Sequence, residues 1–219
     1  MREHATEHAG GLELWLVRHG ESLWNLEGRV QGQGDPALSD RGREAARRLR
    51  PRLQRAAFDA VFTSDLARAR ETARLALPGR SAVPDARLRE LAFGRWEGRR
   101  WQEVAASDGT ALGAWYDDPY AHAPTGGERY EALLARVTAW RRELGARGRV
   151  LAFTHGGPIL ALLYSLTGTP QGGRWRFAVP PASLSKLVLG DRGAILQTVG
   201  DVAHLEDLPP EDARAQGPA

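Results

Sequence analysis

The sequence predicts an α/β fold: a three-layer α/β/α sandwich around a mostly parallel sheet, with an antiparallel strand near the carboxyl end. Three observations predict it. Short apolar runs at 12–17, 59–63 and 150–154 alternate with stretches whose apolar residues recur at helical spacing. Two late runs, 183–189 and 194–199, flank Gly190-Asp191-Arg192-Gly193 and read as a hairpin. At 219 residues, with 42% hydrophobic and 26% charged content, the chain suits one soluble domain with a sizeable core.

The elements follow in order. Leu12-Glu13-Leu14-Trp15-Leu16-Val17 is the first strand, and it runs directly into Arg18-His19-Gly20-Glu21. Residues 28–37 are rich in Gly and polar residues, after which Ser39 or Asp40 caps a helix expected to reach about Gln54. Asp59-Ala60-Val61-Phe62-Thr63 is the second strand. Leu66, Ala69, Ala73 and Leu77 then mark a helix over 65–77, which Pro78-Gly79 ends. Leu133, Leu134, Val137, Trp140 and Leu144 share one side of a helix over 127–144. Val150-Leu151-Ala152-Phe153-Thr154 is a third buried strand, and Pro158 suits the first position of the helix behind it.

The expected organisation is a disordered tail at 1–10, one domain over 11–205 with a cap-like insertion near 99–129, and a solvated tail at 206–219. Residues 1–10 have no apolar core of a signal peptide, and no apolar run approaches the roughly 20 residues of a membrane span. No membrane partner is expected. The chain has no cysteine, which excludes thiol catalysis, disulfides and zinc–thiolate sites; a cytoplasmic location is the simplest reading. The net charge is +3, but the basic residues are arginines interspersed with acids, Lys186 being the only lysine. That pattern names no nucleic-acid face. A homodimer is compatible with the sequence and not selected by it.

Chemistry concentrates where strands end. The first strand delivers Arg18 and His19, the second leads through Thr63-Ser64-Asp65 to Arg68, and the third delivers His155 before Gly156-Gly157 and a helix start. In open α/β sheets ligands bind beyond the carboxyl ends of strands, and Gly20 is expected to let a bound group approach the backbone. A helix amino terminus favours an anion. Arg68 falls in the first turn of its helix, where a cation opposes the dipole by up to about 1 kcal/mol, so an anionic partner is expected. Asp65 and Glu71 are alternatives to a ligand in that role. Two arginines, two histidines and a helix terminus suit a phosphoryl group, whose oxygens match the guanidinium fork and whose phosphorus a neutral imidazole can attack.

These residues carry a family resemblance. Leu16-Val17-Arg18-His19-Gly20-Glu21-Ser22, Trp24-Asn25, Thr63-Ser64-Asp65-Leu66-Ala67-Arg68-Ala69 with Thr72-Ala73, and Leu88-Arg89-Glu90-Leu91-Ala92-Phe93-Gly94-Arg95-Trp96-Glu97-Gly98 follow one another as successive signatures do in the histidine phosphatase superfamily. Pro124-Thr125-Gly126-Gly127-Glu128 and Thr154-His155-Gly156-Gly157 complete the set. The chain thus resembles a phosphoglycerate mutase-like protein from about residue 12 to residue 190.

The resemblance implies that His19 is the nucleophile that becomes phosphohistidine. Arg18, Arg68 and His155 would hold the phosphoryl oxygens with help from Asn25 and Gly156, and Glu90 would protonate the leaving oxygen and then activate water. It implies no metal and no cofactor. Glu97 is a competing carboxylate whose surroundings also fit a turn, Ser183 matches a segment bordering the pocket or is an ordinary strand serine, and Glu21 reads as structural.

The expected activity is that of a metal-independent, histidine acid phosphatase-type phosphomonoester hydrolase acting on a small phosphorylated metabolite. Cofactor-dependent mutase chemistry is the alternative, and an idle binding scaffold a weaker one. The family's mutases carry Glu-Arg-His-Tyr-Gly where this chain reads Glu90-Leu91-Ala92-Phe93-Gly94, and a pair of arginines where it reads Trp115-Tyr116-Asp117. The form Glu-x-x-Phe-Gly-x-Trp-Glu-Gly resembles the broad-specificity and α-ribazole phosphatases, although Leu160 stands where those often have arginine. Trp101, Trp115, Tyr116, Tyr120 and His122 fall in the cap-like insertion, where aromatics either stack on substrate or pack among themselves.

Overall fold

The computed structural model describes residues 11–168 and 176–208. The tail expected at 1–10, and the tail from 209 on, lie outside the described residues. Among the described residues, six strands form one sheet in the order β3-β2-β4-β1-β5-β6. They are β1 (Leu12–Arg18), β2 (Ala60–Thr63), β3 (Val83–Pro84), β4 (Gly148–Thr154), β5 (Leu184–Gly190) and β6 (Gly193–Asp201). β5 pairs antiparallel with both β1 and β6, while β1, β4, β2 and β3 are parallel neighbours. One strand therefore runs against the rest, as expected.

β1 lies inside the sheet with both faces covered, which explains its continuous apolar character. Leu12, Leu14 and Leu16 join a buried cluster with α6 (Tyr130–Glu143) and α7 (Gly156–Thr167); Trp15 and Val17 face the opposite cluster, with α2 (Asp40–Arg48), α3 (Arg50–Gln54) and α4 (Ala67–Ala76). These are the outer layers of the sandwich.

Several boundaries move for local reasons. The helix expected over 40–54 divides at Leu49, which ends α2 and precedes α3, whose first turn contains Pro51. Ser39, not Asp40, caps α2 by accepting the Gly42 amide at 2.9 Å. The helix expected from 65 starts at Ala67, because Asp65 turns away to bind Arg89. Pro158 is the third residue of α7 instead of the first; its missing N–H costs nothing there, since the first turn has no intrahelical acceptor for it. β3 and the four-residue α1 (Leu23–Leu26) are too short to leave a periodic signal and were not expected.

The insertion near 99–129 folds as α5 (Trp101–Asp117) followed by turns. α5 breaks at Asp108 (φ −142°, ψ 33°), whose carboxylate accepts Trp96 Nε1 at 2.7 Å and Thr125 Oγ1 at 2.6 Å. Val104, Leu112 and Trp115 belong to the same buried cluster as Leu14 and Leu16, so the insertion shares the domain's core. Beyond 205, Leu208 packs against the cluster of Trp15, so the fold runs a little further than the solvated tail expected from 206. Among the described residues, no helix is long and apolar enough to cross a membrane.

Candidate active site

The register of β1 and β4 builds the site. Arg18 pairs with Thr154 across this parallel ladder, so the next residues, His19 and His155, leave the sheet side by side with ring centroids 5.0 Å apart. β2 ends one pair earlier, with Thr63 opposite Phe153, and so brings Ser64 to the same edge.

His19 Nδ1 lies 2.7 Å from the Gly20 carbonyl oxygen, which accepts a hydrogen and therefore holds the proton on Nδ1. Nε2 keeps its lone pair. Arg68 Nε donates to that nitrogen at 3.3 Å. Burial pushes the His19 pKa well below its usual value, and Arg68 and Arg18 push it the same way, so the ring is neutral near pH 7.

Arg68 is fully buried in the first turn of α4. Its Nη1 donates to the Gly34 carbonyl at 2.6 Å and its Nη2 to the Gly32 carbonyl at 2.7 Å. Burial lowers its pKa to about 10, which leaves it a cation. The anion expected at this helix start is Asp35, whose carboxylate accepts the Ala67 amide at 2.8 Å and lies 3.9 Å from Arg68 Nη1. Asp65 and Glu71 do not take that role, being bound to Arg89 and Arg43.

His155 is fully buried, and its Nε2 lies 2.9 Å from Ser64 Oγ. Its Nδ1 has no protein partner and is free for a ligand. Burial first, then Arg68, lowers its pKa, so it too is neutral. Arg18 Nη1 donates to the Val179 carbonyl at 2.7 Å. Asn25 Oδ1 accepts the Ser22 amide at 3.0 Å, which leaves the Asn25 amide group as its donor toward the cavity that Asn25 and Arg18 line.

Glu90 stands on the irregular segment after Leu88. Its Oε1 accepts the Leu91 amide at 2.9 Å and the Gly157 amide at 3.0 Å. The amino terminus of α7, expected to meet a ligand anion, thus holds a carboxylate of the protein itself. A Cβ on Gly157 would sit 2.2 Å from Glu90 Oε1, whereas one on Gly156 would lie 3.7 Å from both Arg18 Cζ and Glu90 Oε2. Gly156 therefore adjoins both groups, but Gly157, which the sequence did not single out as a site residue, is the one that admits Glu90.

Other expectations resolve through contacts. Gly20 faces α2 instead of a ligand: a Cβ there would meet the Gly42 carbonyl oxygen at 2.5 Å. Glu21 is buried, accepts Ser39 Oγ at 2.5 Å and is structural. Glu97 does not compete with Glu90, because its carboxylate accepts the amides of Gln33 (3.0 Å), Gly34 (3.1 Å) and Phe93 (2.8 Å). By tying down 33–34 it also sets the carbonyls that hold Arg68. Ser183 Oγ is buried and unpartnered, while the Ser183 carbonyl accepts the Arg18 amide at 3.1 Å.

A cavity of 460 Å³ has Arg18, Asn25, Glu90 and Gly156 in its wall, while His19, Arg68 and His155 are buried and do not line it. Trp24, Phe93, Trp101, Trp115, Tyr116 and Leu160 line the remainder. Trp101 and Trp115 stack at 6.3 Å with 17° between their planes, so these rings pack together and still present a surface to the cavity. Tyr120 and His122 do not line it. Arg29 is the other cation in the cavity wall among the described residues, and it is engaged by Glu27 and the Gly98 carbonyl. Among the described residues, no group of three or more His, Asp or Glu side chains is arranged to hold a metal ion.

Fold and site together define a phosphoglycerate mutase-like α/β/α enzyme that hydrolyses phosphate esters. The chain belongs to the histidine phosphatase superfamily (branch 1), whose sequence profile matches residues 14–202. It is 34% identical over 199 residues to the adenosylcobalamin/α-ribazole phosphatase of Salmonella typhimurium, covering 88% of this chain and 98% of that one. A protein named "Probable phosphoglycerate mutase" from Erwinia tasmaniensis is 32% identical over 209 residues, covering 90% and 96%. The crystal structure of the α-ribazole phosphatase of Shigella flexneri superposes with a TM-score of 0.79 at 32% identity, covering 87% and 97%.

Proposed function

We propose that the protein is a metal-independent phosphomonoesterase of the acid phosphatase type that works through a phosphohistidine on His19. The observation that carries this reading is the His19 tautomer: Nδ1–H is spent on the Gly20 carbonyl, and the basic Nε2 faces Arg68. His19 Nε2 attacks phosphorus as the ester P–O bond breaks. Glu90 is the group that delivers a proton to the leaving oxygen, because an alkoxide leaves poorly. Arg18, Arg68 and the free Nδ1 of His155 stabilise the phosphoryl oxygens, and Asn25 and Gly156 border the same group. Glu90, now a carboxylate, takes a proton from water; the hydroxide displaces His19, and inorganic phosphate leaves.

The cavity wall supports a monoester with an apolar or aromatic body. Mutase chemistry on a substrate with a second anion is disfavoured, because Trp115 and Tyr116 line the cavity in the segment where the family's mutases carry a pair of arginines. The test is phosphate release from a panel of phosphomonoesters with a chelator present, scored also for isomerisation of 3-phosphoglycerate with its bisphosphate cofactor. Rapid quenching should trap an acid-labile phosphate on His19. Full activity in His19→Ala, or label on another residue, refutes the nucleophile; isomerisation outpacing hydrolysis refutes the phosphatase.

A further inference from the structure

Arg136, on α6, has no part in the chemistry above, yet its guanidinium is divided between the segment that carries Glu90 and the carboxylate of Glu128. Nη1 donates to the carbonyl oxygens of Arg87 (2.7 Å) and Arg89 (2.6 Å), and Nη2 to that of Glu90 (2.9 Å). Nε and Nη2 also bind Glu128, at 2.8 and 2.9 Å. Glu128 in turn accepts the Ala92 amide at 3.2 Å. One ion pair, with side chains 18% and 15% exposed, therefore fixes the main chain on both sides of Glu90.

Residues 89–93 belong to no helix or strand, so their backbone groups lack ladder partners. A planar guanidinium with five donors supplies what a ladder would; an ammonium cannot span three carbonyls. Anchoring at Leu88 is already present, since Thr154 Oγ1 donates to the Leu88 carbonyl at 2.6 Å. Arg136 adds control of the two residues that follow, where Glu90 departs from the chain. With the carboxylate held by Gly157 and the backbone by Arg136, the proton donor is fixed at both ends.

We propose that Arg136 is a positioning residue for proton transfer: it fixes the main chain from which Glu90 reaches the leaving oxygen. This rests on the assignment of Glu90 as the acid. A displacement of about 1 Å in a catalytic group lowers a rate by as much as roughly a hundredfold, and it does so only where that group is needed. A 4-nitrophenolate leaves without a proton, whereas an alkoxide requires one.

The test measures kcat/KM, which reports formation of the phosphoenzyme, across esters from 4-nitrophenyl phosphate to phenyl phosphate to an alkyl phosphate. Arg136→Met is expected to lose roughly tenfold to a hundredfold on the alkyl ester and less than about threefold on 4-nitrophenyl phosphate. Arg136→Lys should follow the same trend, and Glu128→Gln, which loosens the guanidinium without removing it, should follow it more weakly. Thermal unfolding checks that each variant folds; if Arg136→Met does not, the other two decide. A uniform loss across the series, or none, overturns the positioning role. Glu90→Gln is measured alongside: if its own loss is independent of the leaving group, the acid assignment falls and the Arg136 proposal with it. A selective loss in Glu90→Gln beside a uniform loss in the Arg136 variants overturns the Arg136 proposal alone.

Discussion

Arg68 Nε donates to His19 Nε2 across 3.3 Å, so the cation proposed to neutralise the phosphoryl group rests against the nitrogen proposed to attack it. The contact joins residues 49 apart in the chain. Burial first, and then this cation, depress the basicity of His19, while two glycine carbonyls prevent the guanidinium from swinging away.

Arg68→Lys keeps a positive charge but loses the fork that spans Gly32, Gly34 and His19. The expected loss in kcat/KM on an aryl phosphate is roughly a hundredfold. A lysine variant within about threefold of the parent would show that charge alone suffices.

The pH profile follows from the depressed His19 pKa. The free imidazole is the reactive form and persists below pH 6.5, its ordinary pKa, so the acid limb of kcat/KM should lie below that value once the ester's own ionisation is allowed for. An enzyme-derived limb at or above 6.5 contradicts a buried, arginine-flanked nucleophile.

Gly157→Ala separates stability from activity. In α7 alanine is the better helix former by up to about 1 kcal/mol, so the thermal midpoint should hold or rise. Its Cβ nevertheless takes the place of Glu90 Oε1, and kcat/KM on an alkyl phosphate should fall at least roughly tenfold. Unchanged activity would mean that Glu90 does not need this amide.

Gly20→Ala tests the packing of α2 on the end of β1. The new methyl would meet the Gly42 carbonyl, a backbone atom that cannot rotate aside, so denaturant unfolding should show a loss of about 1–3 kcal/mol. A neutral result would show that the two segments separate easily.

Acid should weaken the fold through its buried histidines. Burial, with Arg52 nearby, lowers the His204 pKa from 6.5 to about 4, and burial lowers those of His19 and His155 in the same direction. Between pH 6.5 and 4 the unfolded chain binds more protons at His204 than the folded one, so stability falls as pH falls and this contribution levels off below about 4. Asp201, lowered by Arg52 from 3.8 to about 2, acts in a separate window beneath it. His204→Gln should flatten the upper window by roughly 1 kcal/mol in unfolding titrations, and an unchanged slope would refute the assignment.

Much of the candidate site was legible because strand ends announce themselves. Arg18, His19, Arg68 and His155 each follow a recognisable apolar run or open a periodic one, and the structure brings all four to one sheet edge. Glu90 rests mainly on resemblance, since it belongs to no periodic element. Glu97 was ambiguous because a carboxylate in a turn reads the same whether it binds backbone amides or substrate. Arg136 left no signal: on a helix, one arginine among several looks like a solvated face.

The sequence by itself determined the alternation of strands and helices, the single reversed strand and the residue types at each strand end. These follow from local periodicity and from chemistry carried one residue at a time. Only the tertiary structure decided that Asp35 meets the start of α4, that Gly20 admits α2 and that Gly157 grips Glu90 from 67 residues away. The physical reason is that such contacts have no period. They exist only once the strand order is closed and side chains from distant segments compete for the same buried hydrogen-bond partners.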